Sequence, residues 1–180
     1  MSEIYLYHGT DLKYAKAIKA NGFIIRPSKE HWLGNGVYFF EDKSLAEWWT
    51  TNPTLKFGSK ITIPVILKCK IDVDKNDILS LKSLNDYKFF TEEYKTFLAK
   101  HKKDGTKKIP PISQLRCTFC DYLYESFEYK LLIGTFCKPN QPYLPKKYGK
   151  FFTKFDLPYI ETQYCVFDKS VIKSVELLKI

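Results

Sequence analysis

The order of apolar and polar residues along the chain predicts a mixed α and β protein. Short apolar or β-branched runs, which are typical of strands, occupy residues 3–7, 23–26, 36–40 and 61–71. After the first run, Leu12, Ala15 and Ile18 recur at the spacing of one helix face, and Gly22 supplies a left-handed end. A second, short helix is expected to begin near Asp42. The first part therefore predicts strand, helix, strand, strand, helix, strand.

The second half predicts helices followed by two closing strands. Apolar and aromatic residues recur every three or four positions from residue 83 to about 103 and again from 113 to about 136. Residues 159–167 and 171–178 are typical of strands. The chain has no internal repeat and no long linker. We therefore expect a single domain over residues 1–180, with a helical insertion at roughly 83–136.

The composition favours a folded protein and excludes several classes. The 180 residues are 44 % hydrophobic and 27 % charged, which suits a globular core rather than a disordered chain. No apolar run reaches the ~20 residues of a membrane span, and the N-terminus lacks a signal segment. The five cysteines are irregularly spaced, and Cys117 and Cys120 have no second pair to complete a metal site. We expect a reduced, cytoplasmic protein with no membrane contact and no metal.

Positive charge is concentrated in the second half of the chain. The first 80 residues carry 11 basic and 9 acidic side chains, the remaining 100 carry 18 and 11, and the net charges are therefore +2 and +7. Residues 138–154 combine five lysines with four aromatic residues and contain no acid. Such a segment suits phosphates and stacked bases, so that nucleic acid is one expected partner. The alternative is a solvated loop whose aromatic residues cover the core.

Two segments of the first half carry groups that could hold a flat, polar ligand. His8-Gly9-Thr10 places an imidazole, a glycine and a hydroxyl at the end of the first strand. In residues 34–40 two glycines allow close approach of the backbone, and Tyr38 follows on a strand. Trp48, one short helix later, could form a second aromatic wall for the same planar ring.

A third segment lies near the end of the chain. Glu161 and Gln163 are two residues apart on an expected strand, so their side chains should share one face. Together the three segments read His-Gly-Thr, then Gly-x-Gly-Val-Tyr-Phe with Ala-x-Trp after it, and finally Gln-Tyr-x-Val-Phe-Asp. This order resembles the ADP-ribosyltransferase superfamily, especially its branch similar to the poly(ADP-ribose) polymerases. The resemblance covers about the first 80 and the last 25 residues.

The resemblance implies a fold and a set of ligand contacts. The fold would be a split α+β fold of two small, mainly antiparallel sheets with flanking helices around an NAD cleft. His8 would bind the adenosine ribose, while the backbone of Gly9, with Thr10 close by, would hold the nicotinamide amide. Tyr38 would stack on the nicotinamide ring, and Trp48 would form the opposite wall.

The catalytic position departs from the pattern of the family. In the family pattern, Gly36 would let its strand bend toward the pocket. The position that normally holds the catalytic glutamate matches Gln163 in this chain. A glutamine can accept a hydrogen bond from a ribose hydroxyl, yet it brings no charge and cannot act as a base. Single transfer is therefore expected rather than chain elongation. Glu161 could supply charge to the acceptor, or it could form a surface salt bridge.

These observations predict an NAD-dependent mono-ADP-ribosyltransferase that needs no metal. The acceptor would be a macromolecule, with nucleic acid and especially RNA favoured over protein. Two alternatives are an NAD glycohydrolase and a catalytically inactive nucleic-acid-binding module. The chain is also similar to small bacterial toxins of toxin–antitoxin and phage-defence systems, which implies an antitoxin protein as a partner.

Overall fold

A computed structural model describes residues 2–52, 61–103, 111–136 and 160–179. The strands in these ranges are β1 (Ser2–Asp11), β2 (Val37–Phe40), β3 (Pro64–Val73), β4 (Ile78–Ser80), β5 (Leu131–Phe136), β6 (Glu161–Val166) and β7 (Ile172–Lys179). The helices are α1 (Leu12–Asn21), α2 (Lys43–Thr51), α3 (Leu84–Lys103) and α4 (Ile112–Phe127). No helix within these ranges combines enough length with enough apolar residues to span a bilayer.

All seven strands form one sheet in the order β4-β5-β6-β2-β1-β3-β7. β4 and β5 are parallel, and the other neighbouring pairs are antiparallel. β1 pairs with β3 along its whole length, but it pairs with β2 at a single position, where Tyr7 lies opposite Phe40. This position joins the two halves of the sheet. The α+β class is confirmed, whereas the expected division into two small sheets is wrong because the Tyr7–Phe40 pairing makes them one.

Two predicted elements differ from the structure. Residues 23–26 form no strand, although Phe23 is buried. The second helix of the insertion ends at Phe127, where Glu128 takes a left-handed φ of 58°. Leu131–Phe136 then forms β5 rather than continuing the helix, because its apolar run is buried between β4 and β6. The basic segment 138–154 lies outside the described residues.

The sheet carries an apolar layer on each face. Strand alternation turns residues such as Leu6, Phe39 and Leu67 to the first face, which α1 covers. The second face is covered in two parts. Helix α2 packs on the part that contains Phe40, and α3 and α4 pack on the part that contains Cys165. Each large apolar side chain buried in this way stabilises the fold by about 1.5–3 kcal/mol.

Asp11 connects the end of β1 to the start of β3. Its side chain caps α1 by accepting a hydrogen bond from Lys13 N at 3.0 Å. The same carboxylate accepts from Thr62 N at 2.6 Å and Ile63 N at 3.1 Å. These hydrogen bonds hold the pKa of Asp11 below its ordinary value. The Asp11 side chain therefore holds both the first turn of α1 and the residues that lead into β3, the strand that pairs with β1 along its whole length.

We predict that Asp11→Ala destabilises the protein more than Asp42→Ala does. Asp42 caps α2 through Ser44 N, and loss of such a cap costs about 1 kcal/mol. Asp11 also accepts from two N–H groups just before β3, so its loss removes two further hydrogen bonds and the link between α1 and β3. Urea unfolding of the two variants measures the difference. Equal losses of stability would contradict the role given to Asp11.

Candidate functional site

The three sequence segments that carry candidate chemistry lie on neighbouring strands. β6, β2 and β1 are adjacent at the centre of the sheet. Phe40 on β2 lies opposite Tyr7 on β1 and opposite Gln163 on β6. Residues more than 120 positions apart in the chain are thus aligned in one row across three strands. This row is the structural centre of the candidate site.

His8 lies on the first face of the sheet, beside Phe23 and Phe39. Its ring packs edge-on against theirs, with centroid distances of 5.2 and 5.8 Å. His8 Nδ1 lies 2.8 Å from the backbone oxygen of Tyr38. Because a carbonyl oxygen only accepts, Nδ1 carries the proton and Nε2 is left as an acceptor. Burial lowers the pKa of His8, so the imidazole is neutral at pH 7.

Tyr38 turns its side chain to the second face. Its hydroxyl donates to Gly34 O at 2.9 Å and accepts from Leu33 N at 2.7 Å. Its ring lies 5.6 Å from that of His31, and burial raises the pKa of Tyr38. The side chains of His8 and Tyr38 are therefore not brought together. They lie on opposite faces and are linked through the Tyr38 carbonyl.

Close packing accounts for the two candidate glycines. A Cβ atom at Gly9 would overlap Thr50 Oγ1, so α2 lies directly on this glycine. A Cβ atom at Gly36 would lie 2.6 Å from Cys165 Sγ, where β2 approaches β6. Thr10, the third residue of the first motif, is buried on the first face. Both glycines are thus required by the fold, whether or not a ligand is bound.

Glu161 and Gln163 form a buried polar pair on the second face. Glu161 is 0 % exposed and Gln163 is 5 % exposed. Gln163 Nε2 donates a hydrogen bond to Glu161 Oε1. The expectation of shared orientation is confirmed, and the side chain of Glu161 does not lie at the surface, where the alternative of a surface salt bridge would place it. Burial of a carboxylate costs folding free energy, which its hydrogen bonds offset only in part.

Aromatic side chains of α2 cover Phe40, the neighbour of Gln163. Trp49 stacks on Phe40 with ring centroids 5.8 Å apart and an angle of 21° between the rings. Trp48 packs edge-on against Trp49 at 5.6 Å. Trp48 and Tyr38 belong to different apolar clusters of the second face. Phe40 was not among the site residues predicted from sequence. It could have been predicted, because it lies two residues after Tyr38 on the same strand and its side chain therefore shares a face with that of Tyr38.

Asn35 fastens the glycine-rich segment to α4. Its backbone N–H donates to Asp121 Oδ1 at 2.5 Å, and its amide Nδ2 donates to Asp121 Oδ2 at 2.7 Å. Asn35 Oδ1 accepts from Ser28 N at 2.7 Å and lies 3.0 Å from His31 Nδ1. No local sequence pattern distinguishes Asp121 from other acids on a helix surface, so its role was not predicted. The segment is therefore held in place by hydrogen bonds within the protein.

The cysteines near Tyr38 are protonated thiols. Burial raises the pKa of Cys117 to about 11 and raises those of Cys120 and Cys165 further. Thiols of this kind are poor nucleophiles and poor metal ligands at neutral pH. Among the described parts of the chain, no three His, Cys, Asp or Glu side chains are grouped as a metal site would need.

Comparison with known proteins identifies a relative but no family. No protein-family model matches the chain. The chain is similar to "Uncharacterized protein MJ0359" of Methanocaldococcus jannaschii, with 27 % identity over 193 residues. The match covers 95 % of this chain and 85 % of that protein. The similarity therefore extends over most of the length of both chains.

We predict that His8 makes the folded state less stable in mild acid. The folded pKa lies below the ordinary value of 6.5, so the unfolded chain binds the proton more readily. Stability should therefore decrease as the pH falls below about 6.5. His8→Gln should weaken this dependence, whereas the control His31→Gln should retain it. Urea midpoints at pH 7.5 and 5.5 measure the slope, and an unchanged slope in His8→Gln would contradict the assignment.

Proposed function

We propose that this protein is an NAD-dependent mono-ADP-ribosyltransferase. The observation that supports the proposal most strongly is the adjacency of β6, β2 and β1, which carry the three segments of the family resemblance. A dinucleotide extends over several strands and needs groups from all of them. If the three short segments resembled the family only by chance, their strands would not be expected to be neighbours in the sheet.

NAD would lie along the edge of β1 that faces β2. In the described strands, β1 pairs with β2 at Tyr7 alone, while its pairing with β3 continues to Asp11. In this binding mode, backbone groups of Gly9 bind the carboxamide. His8 Nε2 can accept a hydrogen bond from a ribose hydroxyl. A ligand held by both His8 and Gln163 must follow this edge, because the two side chains face opposite sides.

The reaction replaces nicotinamide at C1′ of the ribose. The C1′–N bond breaks, nicotinamide leaves with the bonding electron pair, and the acceptor atom forms a new bond to C1′ and releases its proton. Positive charge develops on the ribose as this happens. Gln163 can accept a hydrogen bond from a ribose hydroxyl and orient the sugar, but it cannot remove a proton from the acceptor. A site of this kind suits a single transfer.

The acceptor is proposed to be a macromolecule, with nucleic acid favoured by the net charge of +7 on residues 81–180. The burial of Glu161 and Gln163 supports a second candidate, an NAD glycohydrolase. Water reaches a buried group more readily than a macromolecule does. An antitoxin partner stays a prediction from the resemblance.

The proposal predicts that the purified protein consumes NAD. We would incubate it with NAD labelled on the adenylate phosphate, together with RNA, DNA or cell extract. Label is expected in a polymer, and free ADP-ribose alone would favour the glycohydrolase. Gln163→Met should lower turnover about 100-fold, because a hydrogen-bond partner of the transition state is lost. Thr162→Val, on the opposite face of the same strand, is the matched control. Intact NAD under all these conditions would overturn the proposal.

A further inference from the structure

We infer that Glu161 is a positioning residue, which fixes the orientation of the Gln163 amide so that its carbonyl oxygen faces the ribose. The inference rests on the proposed function and names the part that Glu161 has in it. It differs from the role suggested by sequence, in which the charge of Glu161 acts directly on the acceptor. The two roles give different results for a neutral replacement of Glu161.

The hydrogen bond between the two side chains runs from Gln163 Nε2 to Glu161 Oε1, so the group of Gln163 that faces Glu161 is the amide nitrogen. In this direction an amide NH2 donates and a carboxylate accepts. The two ends of an amide are similar in size, and their hydrogen-bond partners decide which end is which. With Nε2 held by Glu161, Oε1 points away from it. Gln163 therefore presents an acceptor and selects a ligand group that donates, such as a hydroxyl.

The residues opposite the pair on neighbouring strands cannot perform this task. Gln163 lies opposite Phe40 on β2 and Gly134 on β5, and Glu161 lies opposite Phe136. Two of these residues are hydrocarbon rings, and the third has no side chain. Among the cross-strand neighbours of Gln163, none offers a side-chain acceptor for Nε2. The rings of Phe40 and Phe136 lower the polarity beside the pair, which strengthens the hydrogen bond.

The same geometry explains why a glutamine occupies position 163. Glu161 and Gln163 are both almost fully buried and lie within hydrogen-bond distance. A glutamate at position 163 would place two carboxylates together, and one of them would have to take up a proton. An amide at position 163 avoids this repulsion and keeps the acceptor atom. The departure from the family pattern at Gln163 is therefore coupled to Glu161.

The test compares Glu161→Leu with Glu161→Gln. Leucine removes the acceptor for Gln163 Nε2, so the amide loses its fixed orientation. We expect kcat to fall about 10- to 100-fold while KM changes little, since misplacement of a catalytic group affects mainly the reacting geometry. Glutamine at position 161 still offers a carbonyl oxygen, and we expect a loss of only two- to fivefold. Thr162→Val is the control, and circular dichroism checks that each variant is folded.

Two results with the single variants of Glu161 would overturn the inference. If Glu161→Gln is as inactive as Glu161→Leu, the negative charge itself is required and Glu161 acts on the acceptor. If Glu161→Leu keeps the wild-type kcat, the orientation of Gln163 does not depend on Glu161. The exchange variant Glu161→Gln with Gln163→Glu adds a third comparison. It restores one carboxylate beside one amide, so it should be more active than Gln163→Glu alone, and lower activity would count against the coupling.

A measurement without turnover separates this inference from the proposed function. The side-chain NH2 protons of Gln163 should resonate downfield in the wild-type protein, because they are bonded to a carboxylate. This shift should be lost in Glu161→Leu and retained in part in Glu161→Gln. An unshifted wild-type resonance overturns the fixed amide. If the wild-type protein consumes no NAD but the resonance is shifted, the proposed function fails, and the fixed orientation of the Gln163 amide by Glu161 stands.

Discussion

The arrangement of the whole molecule depends on the narrow junction between β1 and β2. One strand pairing, Tyr7 with Phe40, joins the halves of the sheet, and His8 reinforces it through its hydrogen bond to the Tyr38 carbonyl. This side chain replaces the ladder bond that a longer strand pairing would supply. These two contacts keep β1 beside β2, so that β6, β2 and β1 are adjacent strands of one sheet. The junction is also short, since β1 pairs with β2 at Tyr7 alone in the described strands.

The junction also explains why the polar groups of the site face different sides. Alternation along β1 turns His8 to the face opposite Tyr7, while Gln163 shares the face of Tyr7 and Phe40. A ligand confined to one face could contact only one of the two polar side chains. In the proposed binding mode, a ligand that follows the β2-facing edge of β1 contacts both. The proposed common site therefore depends on the short pairing of β1 with β2.

Local sequence patterns predicted the elements better than they predicted the site. The shared face of Glu161 and Gln163 follows from strand alternation alone, and β1, α1 and β3 follow from their periodicity. The strand Leu131–Phe136 was missed because a short apolar run fits a buried helix equally well. The separation of His8 from Tyr38 could not be foreseen, because it depends on the register between two strands nearly 30 residues apart. Long-range register leaves no trace in local periodicity.

The motif residues do not carry equal weight as evidence of function. Gly9 and Gly36 are required by the contacts of α2 and β6, and Tyr38 bonds the backbone of its own segment. A protein with no ligand would need these residues for the same fold. Packing does not require the pair Glu161 and Gln163, since apolar residues of similar volume would fill the space at lower cost. Among the candidate site residues, this buried polar pair is therefore the one that the packing of the fold explains least.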